Sequence, residues 1–275
     1  MGQLDGKVAF ITGAARGQGR SHAQALAAEG ADIVGVDICA QLDTVSYPMA
    51  TREDLDETVG LVEKHGRRML ARQADVRNLA AVRSAAEAAL AEFGRLDIVV
   101  ANAGILAHSL PPYANSEQAW RDSIDTMLTG VWNTLQATVP HLIDGGRGGS
   151  VVITSSAAGL RAQTTERSGG ADGYFAAKFG VIGLMKAYAG ALAEHNIRVN
   201  SLHPTGVNTP MVVNDFFRAW IQAHPKVAAN VVNALPVQMI EASDVSNAVL
   251  FLVCDTGRYV TGLEMTVDAG VTTVH

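Results

Sequence analysis

The chain has 275 residues, of which 48% are hydrophobic and 17% charged, with a formal net charge of −6 and a pI near 5.7. That length fits one large α/β domain, and the acidic balance argues against a nucleic-acid or anionic-membrane surface. The low charged share implies that helices or partner subunits cover much of the chain.

Cys39 and Cys254 are the only cysteines. They fit neither a metal spacing nor a disulfide framework, and they read as inert thiols. The eight histidines are scattered, and no metal site is assigned. The N-terminus has no apolar signal region, and no apolar run reaches the ~18 residues needed to span a bilayer. A cytoplasmic protein is expected.

Residues 8–11 are apolar on both faces, the pattern of a buried parallel strand. Gly13, Ala14, Ala15, Arg16, Gly17, Gln18 and Gly19 follow at once, then an alanine-rich helix to residue 29, stopped by Gly30. Glycines let the backbone turn and approach a ligand without a Cβ in the way. The helix N-terminus behind them suits a pyrophosphate. The strand–turn–helix setting makes this more than a chance glycine motif.

A second strand is predicted over 32–36, giving a right-handed parallel crossover. It ends at Asp37, 18 positions after Gly19. A carboxylate there can accept from both adenosine ribose hydroxyls and would repel a 2′-phosphate, which favours NAD over NADP. Its bland reading is a solvated turn aspartate. Arg16 could attract a 2′-phosphate, but the carboxylate outweighs it.

Residues 38–54 are polar, include Pro48 and read as a loop. A helix over 55–65, a strand over 68–73 and a helix over 78–93 follow. Asp75 could accept from the adenine amino group; a helix N-cap is an equal reading. A strand over 98–101 precedes Asn102, Ala103 and Gly104. A long helix is predicted over 117–142, a strand over 151–154, a helix over 173–193 and a strand over 198–202. Then come a surface helix over 212–222, a helix over 243–254 and a last strand over 264–267. This alternation specifies a single-domain α/β Rossmann fold, a doubly wound parallel sheet with helices on both faces.

Tyr174 and Lys178 are four apart on a helix, so they face the same way. A free phenol, with a pKa near ~10, is a poor base at neutral pH. A nearby ammonium stabilises the phenolate and lowers that pKa, making a general base for an alcohol proton. Ser155 and Ser156 follow a strand at the carboxyl edge, where open α/β sheets bind ligands. A serine hydroxyl there can bond a substrate oxygen; capping the next turn is the alternative.

Taken together these residues resemble the short-chain dehydrogenase/reductase family. The segment from Thr12 and Gly13 to Gly19 matches its cofactor loop. Asn102-Ala103-Gly104 matches its strand-four motif, and Ser156, Tyr174 and Lys178 match its catalytic residues. Pro204 through Thr209 resembles its segment around the nicotinamide amide, and Thr261-Gly262 with Asp268-Ala269-Gly270 its C-terminal end. The resemblance covers nearly the whole chain. It implies an NAD(P) cofactor, hydride transfer at an alcohol or carbonyl carbon, and a homotetramer. It also implies a cofactor site made of Gly13, Ala15, Arg16, Gly17, Gln18, Gly19, Asp37, Asp75, Val76, Asn102, Ala103, Gly104, Tyr174, Lys178, Val207 and Thr209.

The 38–77 segment, with Tyr47-Pro48-Met49-Ala50-Thr51 and Arg72 through Arg77, resembles the mycofactocin-associated, carveol dehydrogenase-like subgroup. That implies tightly held NAD reoxidised by another redox carrier, mycofactocin. An insertion directly after Asp37 lies beside the adenosine half, where ordering a cover over the cofactor would slow its release.

Three departures stand out. Met127 falls where the family has a helix asparagine, whose carbonyl helps hold a water linking the lysine to solvent. A thioether does this poorly. The relay then runs through Thr126, Thr129 or a backbone carbonyl, or the proton step is slow. Tyr174 lies 18 positions after Ser156, a wider gap than usual, and the extra residues from Thr164 to Gly170 are expected to loop out at the pocket mouth. Ala101 stands where an asparagine is often found, with a small expected effect.

Met211, Val212, Val213, Phe216, Phe217, Trp220 and Ile221 form an apolar excursion within 210–235. It reads either as a lid over a lipophilic alcohol or ketone, such as a terpenoid or steroid, or as a helix packed on a neighbouring subunit. Met211, Phe216, Phe217 and Trp220 are the substrate candidates. The rival readings are an ordinary reductase with exchangeable NAD(P)H and a non-catalytic NAD-binding protein.

Overall fold

The computed structural model describes residues 2–107, 116–162 and 168–274. The apolar runs form β1 (Val8–Thr12), β2 (Asp32–Asp37), β3 (Met69–Gln73), β4 (Ile98–Ala101), β5 (Gly149–Thr154), β6 (Ile197–Pro204) and β7 (Glu264–Val267). They pair in parallel in the order β3-β2-β1-β4-β5-β6-β7. The order reverses between β1 and β4, so a crevice opens at their carboxyl ends. Every residue of β1, β2 and β4 is buried, which is why their sequences are continuously rather than alternately apolar.

The helices are α1 (Gly17–Ala28), α2 (Arg52–Glu63), α3 (Leu79–Phe93), α4 (Ser116–Ile124), α5 (Gly130–Gly145), α6 (Gly169–Leu192), α7 (Asp215–Ala223), α8 (Pro225–Asn230) and α9 (Ala242–Val253). One core joins α1 and α9 to one sheet face through Leu26, Ile33, Val245 and Leu252. The other joins α3, α5 and α6 to the opposite face through Phe10, Val82, Leu135 and Met185. Phe10 is wholly buried, and truncating such a ring costs about 3–5 kcal/mol.

Several boundaries differ from the sequence prediction for local reasons. α2 starts at Arg52 because Thr51 and Asp54 form a reciprocal capping box. This shortens the loop expected over 38–54. The long helix predicted over 117–142 is broken by a π turn, Asp125–Thr129. Here the Gly130 amide donates to the Asp125 carbonyl, and a Cβ on Gly130 would lie 2.6 Å from Val76 Cγ2. Such π insertions recur at functional sites.

α6 starts earlier than expected, at Gly169, because the Ser168 hydroxyl accepts from the Ala171 amide at 3.3 Å. The expected loop-out from Thr164 to Gly170 is thereby shortened, and Thr164, Thr165, Glu166 and Arg167 lie outside the described residues. The surface helix starts at Asp215 rather than 212, since Asn214 caps it by accepting from the Phe217 amide at 2.7 Å.

The stretch Gly169–His195 is long and apolar enough, by length and composition alone, to cross a membrane. This corrects the expectation that no run reaches that length. Here it packs against α4 and β6. Trp120 on α4, Trp132 on α5 and Phe179 on α6 remain exposed on the outside.

Candidate active site

The crevice begins with the turn after β1. Gly13 and Gly17 adopt φ of +68° and +54°, a region that glycine enters without strain. A Cβ on Gly13 would sit 2.9 Å from Ala103 Cα, and one on Gly19 would strike the Gly13 carbonyl. The turn is braced from β4. The Thr12 hydroxyl accepts from the Asn102 and Ala103 amides at 3.0 and 3.1 Å, and Asn102 Nδ2 donates to the Thr12 carbonyl.

Asp37 closes the far end. Its carboxylate accepts from the Ala15 and Cys39 amides, each at 3.1 Å. Burial pushes its pKa up, opposed by those bonds and by Arg16. Asp75 lines the same groove, but Arg77 already grips its carboxylate at 2.7–3.1 Å. It does not cap α3; Asn78 does. The N-cap reading of Asp75 is therefore corrected.

Gly13, Arg16, Gly17, Asp37, Asp75, Asn102 and Ala103 line a groove of about 910 Å³, together with Gly104, Val76 and the inserted segment. Of the predicted cofactor set, Ala15, Gly19 and Lys178 are not among the residues lining the groove, while Tyr174 and Val207 line the neighbouring chamber.

The inserted segment is the part that sequence reasoning resolved least. Ile38, Leu42, Tyr47, Met49 and Ala50 all line the groove. Tyr47 is buried, and its hydroxyl accepts from the Leu106 amide at 3.2 Å. The Arg16 guanidinium lies 5.8 Å from the Tyr47 ring centroid. Gln41 Nε2 donates to the Leu42, Val45 and Tyr47 carbonyls, and Thr44 donates to Asp122 at 2.7 Å. Asp122 in turn accepts from Arg77 at 2.9 Å. The apolar Tyr47 and Met49 in a polar stretch were the available signal.

Ser156, Tyr174 and Lys178 meet beside this groove. The Ser156 hydroxyl accepts from the Ala158 amide at 3.1 Å and lies close enough to the Tyr174 phenol to oppose the upward shift of its pKa. Lys178 Nζ donates to the Thr154 carbonyl at 2.8 Å and lies 5.7 Å from the Tyr174 ring centroid. Burial brings the Lys178 pKa down to about 8.

The expected lowering of the phenol's pKa is corrected. Burial pushes the Tyr174 phenol above its ordinary value, and only the Ser156 bond opposes it. The ammonium faces the Thr154 carbonyl. Ser155 is structural: its hydroxyl donates to the Lys178 carbonyl at 2.8 Å.

His203, which sequence reasoning passed over, lies fully buried under Ser156. Its Nδ1 is 3.0 Å from the Ser156 carbonyl, which only accepts, so Nδ1 carries the proton. Nε2 then accepts from Ser201, 2.8 Å away.

Met127 is buried. Its Cγ and Lys178 Nζ each lie 3.8 Å from the position of a Gly104 Cβ. Thr126 lines the groove, and its hydroxyl oxygen is buried without a hydrogen-bond partner among the described residues.

Tyr174 and Ser156 open into a second chamber of about 1440 Å³. Its walls include Leu106, Met211, Val212, Phe217, Trp220 and Met239. Of the substrate candidates, Met211, Phe217 and Trp220 are among the lining residues, whereas Phe216 is not. The Phe217 and Trp220 rings stack at 5.8 Å. Among the described residues, no group of three or more His, Cys, Asp or Glu side chains is placed to hold a metal.

Residues 7–218 match the family model for short chain dehydrogenase. The chain is 53% identical to an uncharacterised oxidoreductase of Mycobacterium tuberculosis, over 97% of this chain and 96% of the relative. It is 47% identical to (-)-trans-carveol dehydrogenase of Rhodococcus erythropolis, over 99% of each chain. Among solved structures, carveol dehydrogenase from Mycobacterium avium in complex with NAD superimposes with a TM-score of 0.90 at 47% identity, over 98% of this chain and 99% of that one.

Proposed function

We infer the activity from a settled premise, that this chain belongs to the short-chain dehydrogenase family: it interconverts a secondary alcohol and a ketone with NAD. The observation that carries this is the convergence of Ser156, Tyr174 and Lys178, the first two of them lining the apolar chamber. The glycine turn fits a pyrophosphate, because Gly13 and Gly17 face the groove at the N-terminus of α1, where backbone amides suit an anion. Asp37 takes the adenosine ribose hydroxyls and Asp75 the adenine amino group. Tyr174 and Lys178 take the nicotinamide ribose. When bound, the nicotinamide supplies the hydride acceptor in alcohol oxidation and the hydride donor in ketone reduction.

The chain's own residues manage the proton. Ser156 and Tyr174 hold the substrate oxygen between them. Tyr174 removes the hydroxyl proton in oxidation and returns it in reduction. Lys178 supplies a positive charge beside the phenol, which favours the phenolate.

The chamber walls suit a lipophilic alcohol or ketone of terpenoid or steroid size, with the 210–235 region as lid. Tight retention of NAD, with mycofactocin as external redox carrier, is supported by Tyr47 and Gln41 tying the inserted segment down beside the groove. Trp120, Trp132 and Phe179, all exposed and apolar, support a homotetramer, and we place the protein in the cytoplasm.

The test is to purify the protein without added cofactor, denature it and assay the released nucleotide, then to offer terpenoid and steroid alcohols. Stoichiometric NAD(H) that survives dialysis supports retention. Reversible binding with turnover on free NAD overturns it and leaves an ordinary dehydrogenase.

A further inference from the structure

The hydrogen-bond ladder between β5 and β6 ends just short of the site. The Ser155 amide donates to the Leu202 carbonyl at 2.8 Å, and Pro204 then closes β6 with no N–H to give. Ser156 is the next residue along. It is only partly buried and lines the apolar chamber, so its hydroxyl is open to a substrate.

A side chain of β6 takes over where the ladder stops. His203 Nδ1 donates to the Ser156 carbonyl at 3.0 Å, and the ring is wholly buried. The ring is held from its other side as well. Ser201, on the same face of β6 two residues earlier, donates its hydroxyl to Nε2 at 2.8 Å. With Nε2 accepting, the proton stays on Nδ1, facing Ser156. Both the position and the tautomer of the ring are thereby fixed.

The other bonds of Ser156 are internal to its own turn. Its carbonyl also accepts from the Gly159 amide at 2.8 Å, and its hydroxyl oxygen accepts from the Ala158 amide at 3.1 Å. These bonds shape the turn but travel with it. Among the described residues, the His203 bond is the one that ties Ser156 itself to the sheet. Because the hydroxyl oxygen already accepts from Ala158, its hydrogen remains to be given to a substrate oxygen.

We propose that His203 is a positioning residue: through the Ser156 carbonyl it sets the point at which the Ser156 hydroxyl meets the substrate oxygen. The inference rests on the role of Ser156 proposed above and deepens it.

Two substitutions separate this role from simple packing. Asparagine places an amide N–H where Nδ1 stands, and glutamine places its amide where Nε2 stands. His203→Asn therefore keeps the bond to Ser156 and loses the one to Ser201, whereas His203→Gln does the reverse. Each protein is loaded with NAD and mixed with cyclohexanol, and the absorbance of the reduced nicotinamide is followed through one turnover at several alcohol concentrations. His203→Gln should lower the limiting rate by about ten- to a hundredfold, the scale of a displaced reacting group, with little change in the half-saturating alcohol concentration. His203→Asn should stay near the wild-type rate. In a Ser156→Ala background His203→Gln should have almost no further effect, since the group it positions is gone.

The proposal is overturned if asparagine and glutamine lower the rate alike. It is also overturned if His203→Gln costs as much without the Ser156 hydroxyl as with it. Circular dichroism checks folding; if His203→Gln is not folded, His203→Leu, which also lacks the Nδ1 donor, is read against Ser156→Ala in the same way. Ser156→Ala alone is the control for the role beneath. If it leaves the rate unchanged, the role of Ser156 fails. If it lowers the rate while the His203→Gln effect persists undiminished in its background, Ser156 keeps its role and only the His203 inference fails.

Discussion

The Tyr47 hydroxyl accepts a hydrogen bond from the Leu106 amide at 3.2 Å. It joins the segment inserted after β2 to the loop after β4, and Leu106 itself lines the substrate chamber. Opening the groove past Tyr47 therefore breaks this bond. It also separates Tyr47 from Arg16, whose guanidinium lies 5.8 Å from the ring centroid. Tyr47→Phe keeps the ring and removes the bond. Bound nucleotide should leave roughly two- to tenfold faster, the kinetic equivalent of one neutral hydrogen bond. Release is followed by the appearance of free nucleotide after rapid dilution. An unchanged rate would mean that the segment does not open along this seam.

Tyr174→Phe should lower kcat by about a hundredfold to ten-thousandfold, the usual contribution of a positioned acid–base group, while the purified protein keeps its nucleotide. The substitution removes one oxygen from a side chain whose hydroxyl meets Ser156, so the ring packing survives. Because burial raises the phenol's pKa, alcohol oxidation by the wild type should accelerate with rising pH, as the phenolate becomes accessible. Turnover retained in Tyr174→Phe would remove tyrosine from the proton step.

Much of this site was legible because its parts are local. The glycine turn, Asp37 at a strand end and the Tyr174–Lys178 spacing each need only a few neighbouring residues to be read. The sheet followed from buried parallel strands, whose apolar runs need no partner to be recognised. What escaped depends on distant contacts. Tyr47 meets Leu106, 59 positions away, and Thr44 meets Asp122, 78 away. No periodicity records such pairs. The π turn at Asp125–Thr129 keeps the helical pattern while adding one residue to a turn, so the sequence reads as one helix. The direction of the Tyr174 shift depends on burial, which sequence does not give.

His22 makes the fold acid-sensitive. It is fully buried between α1 and α9, with Nδ1 2.8 Å from the Ser246 hydroxyl and Nε2 unpartnered among the described residues. Burial lowers its pKa from 6.5 to about 3. Between these values the unfolded chain binds a proton that the folded chain refuses. This contribution to stability is complete above about pH 6.5 and is lost as the pH falls toward 3, by about 1.4 kcal/mol per unit at most. His22→Leu should flatten the slope of stability against pH in that window, as read by urea denaturation at several pH values. An unchanged slope would place the acid sensitivity in this window elsewhere.

The Phe217 side chain lines the chamber and stacks on Trp220 at 5.8 Å, and Trp220 stacks on His224 at 4.7 Å. Phe217 presents its ring at the chamber wall. A bulky apolar substrate buries surface against this ring before and during reaction alike. Uniform binding of that kind lowers KM without raising kcat. Phe217→Ala should therefore raise KM for a terpenoid or steroid alcohol by about tenfold, the scale of one aromatic contact, and leave kcat nearly unchanged. For a small alcohol such as 2-propanol, which cannot reach the wall, both constants should stay the same. If KM for the bulky and the small alcohol shift alike, Phe217 shapes the fold of α7 rather than the grip on substrate.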